Sequence, residues 1–260
     1  MKLTRRLTAI AAAITTAAAA FTGTTATAQD EAPRPVVDFN TPPTKATITN
    51  EGLAWDVLTP GMSFQTDSGW RCSAGFFATD EANDPVMVTA GHCADNGRHF
   101  VWSPDSQNQL SLGTASTVVG QYPNGGSPDL QDYAVVPLDS PEQSVSPRIG
   151  NAYEVVMTLT PDDLEAGMQL CKFGMRTQET CGSYLGQNDG LLVSTTPVEE
   201  GDSGGPVYVK LGGGQVALVG ITSVGADAES LLGAVPVSNI LRHEHLLLNG
   251  EYGYLPEAGL

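Results

Sequence analysis

Ser203 lies in a segment whose composition suits a reacting hydroxyl group, EEGDSGGPVY at residues 199–208. Glycines on both sides of the serine permit tight backbone turns and the close approach of another molecule. The segment is either a tight turn that leads into a strand, or the site of a nucleophile whose neighbouring backbone N–H groups point into a pocket. Because a serine hydroxyl is a weak nucleophile, the second interpretation requires a base and a group that orients the base.

His92 and Asp132 are the candidates for these two roles. His92 follows the apolar run PVMVTA (85–90) and precedes Cys93, so a disulfide at this cysteine would fix the histidine backbone. Asp132 begins the apolar run DYAVVPL (132–138), which places a carboxylate at the mouth of a predicted buried strand. A single histidine is more often structural, and an aspartate at a strand start is most often a solvated turn residue. The prediction therefore depends on the combination.

Together, the motifs TAGHC, DYA and GDSGGP resemble those of the chymotrypsin-like (trypsin-like) serine proteases, over about residues 60–245. The order His92, Asp132, Ser203 is the order of that family and differs from that of subtilisins and α/β-hydrolases. The resemblance implies that Ser203 is the nucleophile, that His92 is its general base, and that Asp132 binds the other ring nitrogen. It also implies an oxyanion hole formed by the backbone N–H groups of Gly201 and Ser203.

Asp202, next to the proposed nucleophile, needs a cation or hydrogen-bond donors if it is buried. The segment CKFGMRTQETCG (171–182) resembles the disulfide hairpin of the bacterial relatives α-lytic protease and the streptogrisins. In those relatives the residue after the first cysteine is a cation that meets this aspartate. That residue is Lys172 here, with Arg176 as a second candidate. We therefore expect the oxyanion loop to be supported internally, with activity independent of a particular mature N-terminus.

The resemblance also assigns substrate contacts to the segment ITSVG, residues 221–225. The substrate backbone would pair with this segment as an added edge strand. Ser223 would also contact Asp132, and Gly225 would leave the mouth of the pocket open. The expected substrate-binding residues are Pro197, Glu200, Ser223, Val224 and Gly225.

The residue that precedes the scissile bond, P1, is predicted from the residues expected around its pocket. Trypsins carry an aspartate six residues before the nucleophile, where this chain has Pro197. Glu-specific relatives carry a histidine where this chain has Thr222. Glu199 and Glu200 either border the pocket or face solvent. An apolar P1 residue of medium or large size is the resulting expectation.

The four cysteines, Cys72, Cys93, Cys171 and Cys181, indicate an oxidising compartment. Four cysteines allow three pairings. The pairs 72–93 and 171–181 are favoured because each closes one short loop, and by chain entropy each adds about 3 kcal/mol. A metal site is the alternative, but the sequence has no C-x-x-C motif or histidine cluster. We therefore expect no metal and no cofactor.

Short apolar runs separated by Gly, Pro, Asn and Asp from about residue 56 onward predict an all-β barrel or sandwich. The family resemblance narrows this to two packed six-stranded antiparallel Greek-key barrels with a C-terminal helix and the active site in the cleft between the barrels. The protease domain would span 58–260, with the first barrel at about 60–150, the second at about 151–240 and the helix at about 238–249.

Residues 1–28 read as a secretory signal peptide, with Lys2, Arg5 and Arg6 before an alanine-rich middle and Ala26-Thr27-Ala28 as the cleavage site. A membrane anchor is the alternative, but the many threonines and alanines make a poor permanent span. Residues 29–57 are rich in Pro, Thr and charge, and are interpreted as a low-complexity linker or short propeptide. The choice between general and twin-arginine export stays open.

The chain carries 12 basic and 29 acidic residues, a formal net charge of −17. Signal removal would take away three basic residues and no acidic one, which leaves −20. Such a charge disfavours nucleic acid and anionic membranes as partners. We therefore expect a secreted monomer that acts on proteins or peptides as a serine endopeptidase. The alternative from another class is a catalytically inactive binding module on the same scaffold, whereas an esterase or lipase fails on residue order.

Overall fold

The computed structural model describes residues 57–66, 69–94, 98–102, 110–120, 131–139, 144–146, 148–226 and 231–248. The predicted signal peptide lies outside the described residues, as does the predicted linker except for Val57. Within the described ranges, no helix is long and apolar enough to span a membrane.

Almost every regular element is a strand. The amino-terminal strands are β1 (Val57–Leu58), β2 (Ser63–Thr66), β3 (Arg71–Ser73), β4 (Phe76–Thr79), β5 (Pro85–Thr89), β6 (His99–Trp102), β7 (Leu110–Thr114), β8 (Thr117–Val119), β9 (Tyr133–Pro137) and β10 (Ser144–Val145). The later elements are β11 (Arg148–Ile149), β12 (Tyr153–Thr158), β13 (Gln169–Gly174), β14 (Gln178–Asn188), β15 (Leu191–Ser194), β16 (Pro206–Gly212), β17 (Gln215–Ala226), β18 (Leu231–Pro236), α1 (Val237–His243) and β19 (Leu247–Leu248). Short 3₁₀ helices occupy Gly91–Ala94 and Pro161–Asp163.

Two antiparallel sheets form the first barrel. One has the order β19-β4-β5-β9-β8, and the other has the order β3-β2-β6-β7. The central strand β5 is buried on both faces, since Met87 packs in the core of this barrel while Val86 and Val88 pack in a second core. This double burial explains its continuous apolar sequence. The strand leads directly into the 3₁₀ helix that carries His92.

A closed ring of six strands forms the second barrel. The order is β16-β13-β14-β15-β18-β17, and β17 also pairs with β16. All six pairings are antiparallel, so the predicted six-stranded barrel is confirmed. The structure adds one feature that the sequence did not predict, because β12 pairs in parallel with β17 and carries β11 on its other edge.

The two barrels share a hydrophobic core. Phe76, Val88 and Tyr133 of the first barrel belong to the same buried cluster as Phe173 and Ile221 of the second. Each barrel also has a cluster of its own. The elements that carry the predicted site residues are therefore fixed against one another by apolar packing, which is the dominant stabilising term in a fold of this kind.

The C-terminal helix is shorter than the sequence predicted. Helix α1 ends at His243, whereas the prediction extended it to about residue 249. His245 has a positive φ of 52°, a left-handed conformation that ends a helix. Leu247 and Leu248 then pair with β4 of the first barrel, and the hydroxyl of Tyr133 donates to Glu244 at 2.6 Å. The chain end thus ties the helix that follows the second barrel to the first barrel.

Candidate active site

His92 lies in the 3₁₀ helix at the end of β5, between the two barrels' shared core and solvent. Its side chain is 18 % exposed. A disulfide joins the next residue, Cys93, to Cys72 on β3, with the two Cα atoms 6.3 Å apart. The second disulfide joins Cys171 to Cys181, so both favoured pairs are present in the structure. The first of these disulfides holds the backbone directly after His92.

Asp132 is completely buried and holds His92 through two separate hydrogen bonds. The backbone N–H of His92 donates to Oδ1 at 2.8 Å, and Nδ1 of the ring lies 2.8 Å from Oδ2. The hydroxyl of Ser223 donates to Oδ2 at 2.6 Å. Because a carboxylate only accepts hydrogen bonds, Nδ1 is the donor in this contact, and Nε2 is the ring nitrogen that does not face Asp132. A Cβ at Gly91 would lie 3.0 Å from Oδ1 and 2.3 Å from the Val119 carbonyl, which explains a glycine before His92.

Ser203 lies in a turn that packs against the first barrel. Its carbonyl oxygen is 4.0 Å from Sγ of Cys93, the neighbour of His92. The next residue, Gly204, has a φ of 83°, and a Cβ there would lie 2.0 Å from Oγ1 of Thr89. No other residue type fits at this position. The glycine therefore allows the half-buried serine to lie beside the segment that carries His92.

The loop around Ser203 leaves two backbone donors available. The N–H of Asp202 donates to the Glu199 carbonyl at 3.0 Å, and the N–H of Gly204 donates to the Thr222 carbonyl at 2.7 Å. Within the part of the chain that the structure describes, the N–H groups of Gly201 and Ser203 donate to no protein acceptor. These are the two groups that the sequence predicted as an oxyanion hole.

Asp202 and Lys172 form an ion pair in which both side chains are buried. Nζ of Lys172 lies 2.8 Å from Oδ2 of Asp202, and both side chains have no exposed surface. The lysine also donates to the Gln178 carbonyl at 3.1 Å and to Oγ1 of Thr177. Asp202 accepts from the backbone N–H groups of Arg176, Thr177 and Glu199 at 2.9, 3.0 and 3.1 Å, and from the Thr177 hydroxyl at 2.6 Å. Every charge in this pair is therefore compensated.

Arg176, the second candidate for this cation, lies elsewhere. Its Nε is 3.2 Å from Oε2 of Glu199, and both side chains are exposed. Such a pair on the surface contributes little to stability. This ion pair also occupies the carboxylate of Glu199, one of the two glutamates for which the sequence left open whether they border the pocket or face solvent.

The lowered pKa of Asp202 makes the stability of the fold depend on pH. Burial alone would raise this pKa, but the hydrogen bonds from Lys172 and Thr177 outweigh burial and lower it below its ordinary value. A carboxyl group with a lowered pKa in the folded state contributes stability above its unfolded pKa of about 3.9, and that contribution is lost as the pH falls through the folded value.

We therefore expect the free energy of unfolding of the wild-type chain to exceed that of Asp202→Asn by an amount that is constant above about pH 5 and shrinks below about pH 4. Urea unfolding of both proteins between pH 7 and pH 2 measures this difference. The contributions of the other carboxyl groups cancel in it, because both proteins contain them. A difference that does not change with pH would contradict the assignment.

Ser73 is a contact residue that sequence reasoning did not find. Its N–H donates to the Ser203 carbonyl at 2.8 Å, and its hydroxyl donates to the Gly201 carbonyl at 2.8 Å. Thr177 was missed in the same way as a partner of Asp202. Neither residue belongs to a local motif, because their partners lie 128 and 25 residues further along the chain.

The predicted substrate-binding residues fall on two segments. Pro197 and Glu200 are exposed, and the Pro197 carbonyl accepts the Thr180 hydroxyl at 2.6 Å. Val224 and Gly225 lie on β17 and pair with Gly233 and Leu232 of β18. Among the described strands, none pairs with the other edge of Val224–Ala226.

Two residues of β17 are buried beside this edge. Ser223 is bonded to Asp132, as the sequence predicted. Thr222 is 1 % exposed, and its hydroxyl has no hydrogen-bond partner among the described residues. It brings no charge to this part of the second barrel.

Among the residues that the structure describes, two clusters contain side chains of the types that bind metals. One is Cys72, His92 and Cys93, and the other is Cys171, Glu179 and Cys181. All four sulfurs are in disulfides, so neither cluster offers a thiolate. Glu179 accepts hydrogen bonds from the Tyr208 hydroxyl and from Lys210 at 2.6 and 2.9 Å. The chemistry of these donor sets does not suit a metal.

A sequence model of the trypsin family matches residues 62–242. The chain is 29 % identical over 210 residues to an uncharacterized protein of Mycobacterium tuberculosis, an alignment that covers 76 % of this chain and 85 % of that protein. It is 30 % identical over 195 residues to streptogrisin-D of Streptomyces griseus, covering 70 % of this chain and 45 % of that protein.

Solved structures give the same result for the fold. Protease A of Thermobifida fusca superposes with a TM-score of 0.56 and 25 % identity, covering 74 % of this chain and 98 % of that one. A Nocardiopsis protease superposes with a TM-score of 0.56 and 23 % identity, covering 75 % and 100 %.

Proposed function

Since this chain belongs to the trypsin family, we propose that it is a secreted serine endopeptidase in which Ser203, His92 and Asp132 act together. The observation that carries the proposal is the pair of 2.8 Å contacts by which the buried Asp132 holds both the ring and the backbone of His92. Burying a carboxylate is costly unless it is paired and hydrogen-bonded, and both oxygens of Asp132 obtain a partner by fixing the position of His92.

In the first step, Nε2 of His92 takes the proton of the Ser203 hydroxyl as its oxygen attacks the carbonyl carbon of the scissile bond. Asp132 keeps Nδ1 protonated and stabilises the imidazolium that forms. His92 then gives the proton to the leaving amine, and the acyl group stays on Ser203. Water then attacks the acyl carbon while His92 takes one of its protons, the bond from that carbon to Oγ of Ser203 breaks as His92 returns the proton to Oγ, and the acid product leaves.

The N–H groups of Gly201 and Ser203 are proposed to stabilise the negative oxygen of each tetrahedral intermediate. Both are without a protein acceptor among the described residues, so they bind the oxyanion without breaking another bond. One such donor is typically worth about 3 kcal/mol in the transition state. Lys172 supplies the cation that Asp202 needs, so this loop does not require a newly freed N-terminus.

Substrate is proposed to bind as a strand along the open edge of Val224–Ala226. The P1 side chain would then meet Pro197, Glu200 and the buried wall that includes Ser223. Pro197 and Thr222 carry no charge, the Glu199 carboxylate is paired with Arg176, and Glu200 is exposed, so that its carboxylate is assigned to the hydrated rim and not to the base. A pocket without an unpaired charge at its base favours an apolar P1 residue, because a charged side chain would lose hydration there without compensation.

Export is supported by the signal-like residues 1–28 and by the two disulfides. Disulfides persist in oxidising compartments outside the cytosol. All the proposed reacting groups lie in one chain, so a monomer is sufficient for activity.

Peptide-library cleavage tests the function and the P1 preference together. The full chain is expressed in a secreting host, and the protein from the medium is incubated with the library, with a Ser203→Ala preparation as the control for contaminating proteases. We expect internal cleavage after Phe, Leu, Met or Tyr, and no cleavage by the control. Cleavage mainly after Lys or Arg would contradict the proposed pocket, and no cleavage at all would favour a binding module.

A further inference from the structure

Ser73 connects the barrel that carries His92 with the loop that carries Ser203. It is the last residue of β3, directly after Cys72, and it has no exposed surface. The disulfide of Cys72 leads from this strand to the neighbour of His92. Ser73 therefore links the two parts of the proposed site, since the disulfide next to it leads to His92 and its hydrogen bonds lead to the loop of Ser203.

The two hydrogen bonds from Ser73 reach both residues of the proposed oxyanion hole. Its backbone N–H donates to the Ser203 carbonyl, and its Oγ donates to the Gly201 carbonyl, each at 2.8 Å. The hydroxyl has a fixed direction, since it accepts the Met175 N–H at 2.9 Å and so points its own proton at Gly201. The Ser73 carbonyl accepts the Thr89 hydroxyl at 3.0 Å, which fixes the serine in turn.

Gly201 needs such a support. Its φ is 98°, and glycine rotates between backbone conformations at low cost. Packing around it is looser than around the next glycines, because a Cβ built there would have its nearest neighbours, two atoms of Met175, at 3.6 Å. By contrast, a Cβ at Gly204 or Gly205 would meet a neighbouring atom at 2.0 or 2.2 Å. The Gly201 backbone is therefore fixed mainly through the next peptide, Gly201–Asp202, whose carbonyl accepts from Ser73 and whose N–H donates to the Glu199 carbonyl, and the direction of the Gly201 N–H follows from that anchor.

We propose that the Ser73 side chain is a positioning residue that holds the Gly201 N–H in the orientation that binds the oxyanion. The inference rests on the proposed function and adds to it a residue from outside the loop. A donor that rotates away from the developing charge loses its contribution in the transition state, while the bound substrate, which has no full charge on this oxygen, is held almost as well. Loss of the Ser73 hydroxyl therefore lowers kcat and leaves KM nearly unchanged.

Ser73→Ala tests this, since it keeps the N–H bond to Ser203 and removes only the hydroxyl. We expect kcat to fall by about 10- to 100-fold and KM to change less than about two-fold. The inhibition constant of a peptide aldehyde, whose adduct carries the oxyanion, is expected to rise by a factor similar to the fall in kcat. Ser73→Thr keeps a hydroxyl group, so its kcat and its aldehyde affinity are expected to lie between those of Ser73→Ala and those of the wild-type protein.

Ser194→Ala is the matched control. Ser194 is equally buried, and its hydroxyl donates to Oγ1 of Thr196 at 2.7 Å, with no contact to residues 201–203. We expect a loss of thermal stability similar to that of Ser73→Ala, with unchanged kcat. If the wild-type enzyme is active and Ser73→Ala has the same kcat and the same aldehyde affinity, this inference is overturned and the proposed function is not. A wild-type protein without turnover would overturn the proposed function and this inference with it.

Discussion

Replacement of Ser203 by alanine is expected to lower kcat by about 10⁶-fold. His92 would have no hydroxyl to deprotonate, and no acyl-enzyme would form. The residual rate comes from substrate binding and the N–H groups of Gly201 and Ala at position 203, which the substitution leaves in place. Because Ser203 is only half-buried and the change removes a single oxygen, the free energy of unfolding should change by less than about 0.5 kcal/mol.

Steady-state kinetics on a peptide with a P1 residue chosen from the library measures this loss. Ser116→Ala is the control, since that serine is exposed and its hydroxyl contacts only the Val135 carbonyl, at 3.3 Å. We expect the control to keep full activity. A Ser203→Ala enzyme that retains more than about one hundredth of the wild-type kcat would show that another group is the nucleophile.

Replacement of Lys172 by methionine is expected to destabilise the fold and to reduce turnover. Methionine fills a similar volume but leaves the Asp202 carboxylate buried without its cation, and breaking a buried pair costs about 3–5 kcal/mol. Four other donors to Asp202 remain, so we expect the lower end of this range. For a domain of this size, about 3 kcal/mol corresponds to a fall in Tm of about 10 °C. Turnover falls because Asp202 lies between Gly201 and Ser203.

The pH dependence of Lys172→Met separates this cause from simple loss of packing. Removal of the lysine takes away the largest of the interactions that lower the pKa of Asp202, so this pKa is expected to rise relative to the wild-type protein, and the stability gained from the ionised carboxyl group becomes smaller. The variant is therefore expected to lose its stability deficit as the pH falls toward 4. Lys210→Met is the control, since that lysine is partly exposed and pairs with Glu179 at 2.9 Å; it should lose at most about 1 kcal/mol and keep its kcat. Unaltered turnover in Lys172→Met would contradict the internal support of the loop.

The fold could be predicted from the sequence because its signals are local. Short apolar runs between turn residues indicate strands, and the structure confirms the all-β class and the closed second barrel. The parallel pairing of β12 with β17 was not predictable, because it joins segments about 60 residues apart with no shared motif. The length of the C-terminal helix was predicted wrongly because the leucines at 246–248 suit a helix face as well as a strand. The pairing of Leu247 and Leu248 with β4 of the first barrel decided the outcome.

The candidate site likewise contains residues that could be predicted from their local sequence and a residue that could not. His92, Asp132, Ser203 and Lys172 stand next to cysteines, glycines or strand ends, so each carries a signal in its own neighbourhood. The structure brings His92 to Asp132 and Lys172 to Asp202, although the catalytic and supporting roles stay proposals. Ser73 also follows a cysteine and ends a strand, but its proposed role could not be predicted from that setting, because the role depends on a hydrogen bond to a carbonyl group and every residue has a carbonyl group.

Reaction with a labelled fluorophosphonate tests the central claim most directly, because the reagent reports an activated serine without any assumption about the substrate. The wild-type protein is treated, digested and mapped by mass spectrometry, with His92→Ala as the comparison. We predict a single adduct on Ser203 in the wild-type protein, formed at least about 100-fold more slowly when His92 is replaced. A folded wild-type protein that forms no adduct, or forms one at another residue, would contradict the claim that His92 activates Ser203.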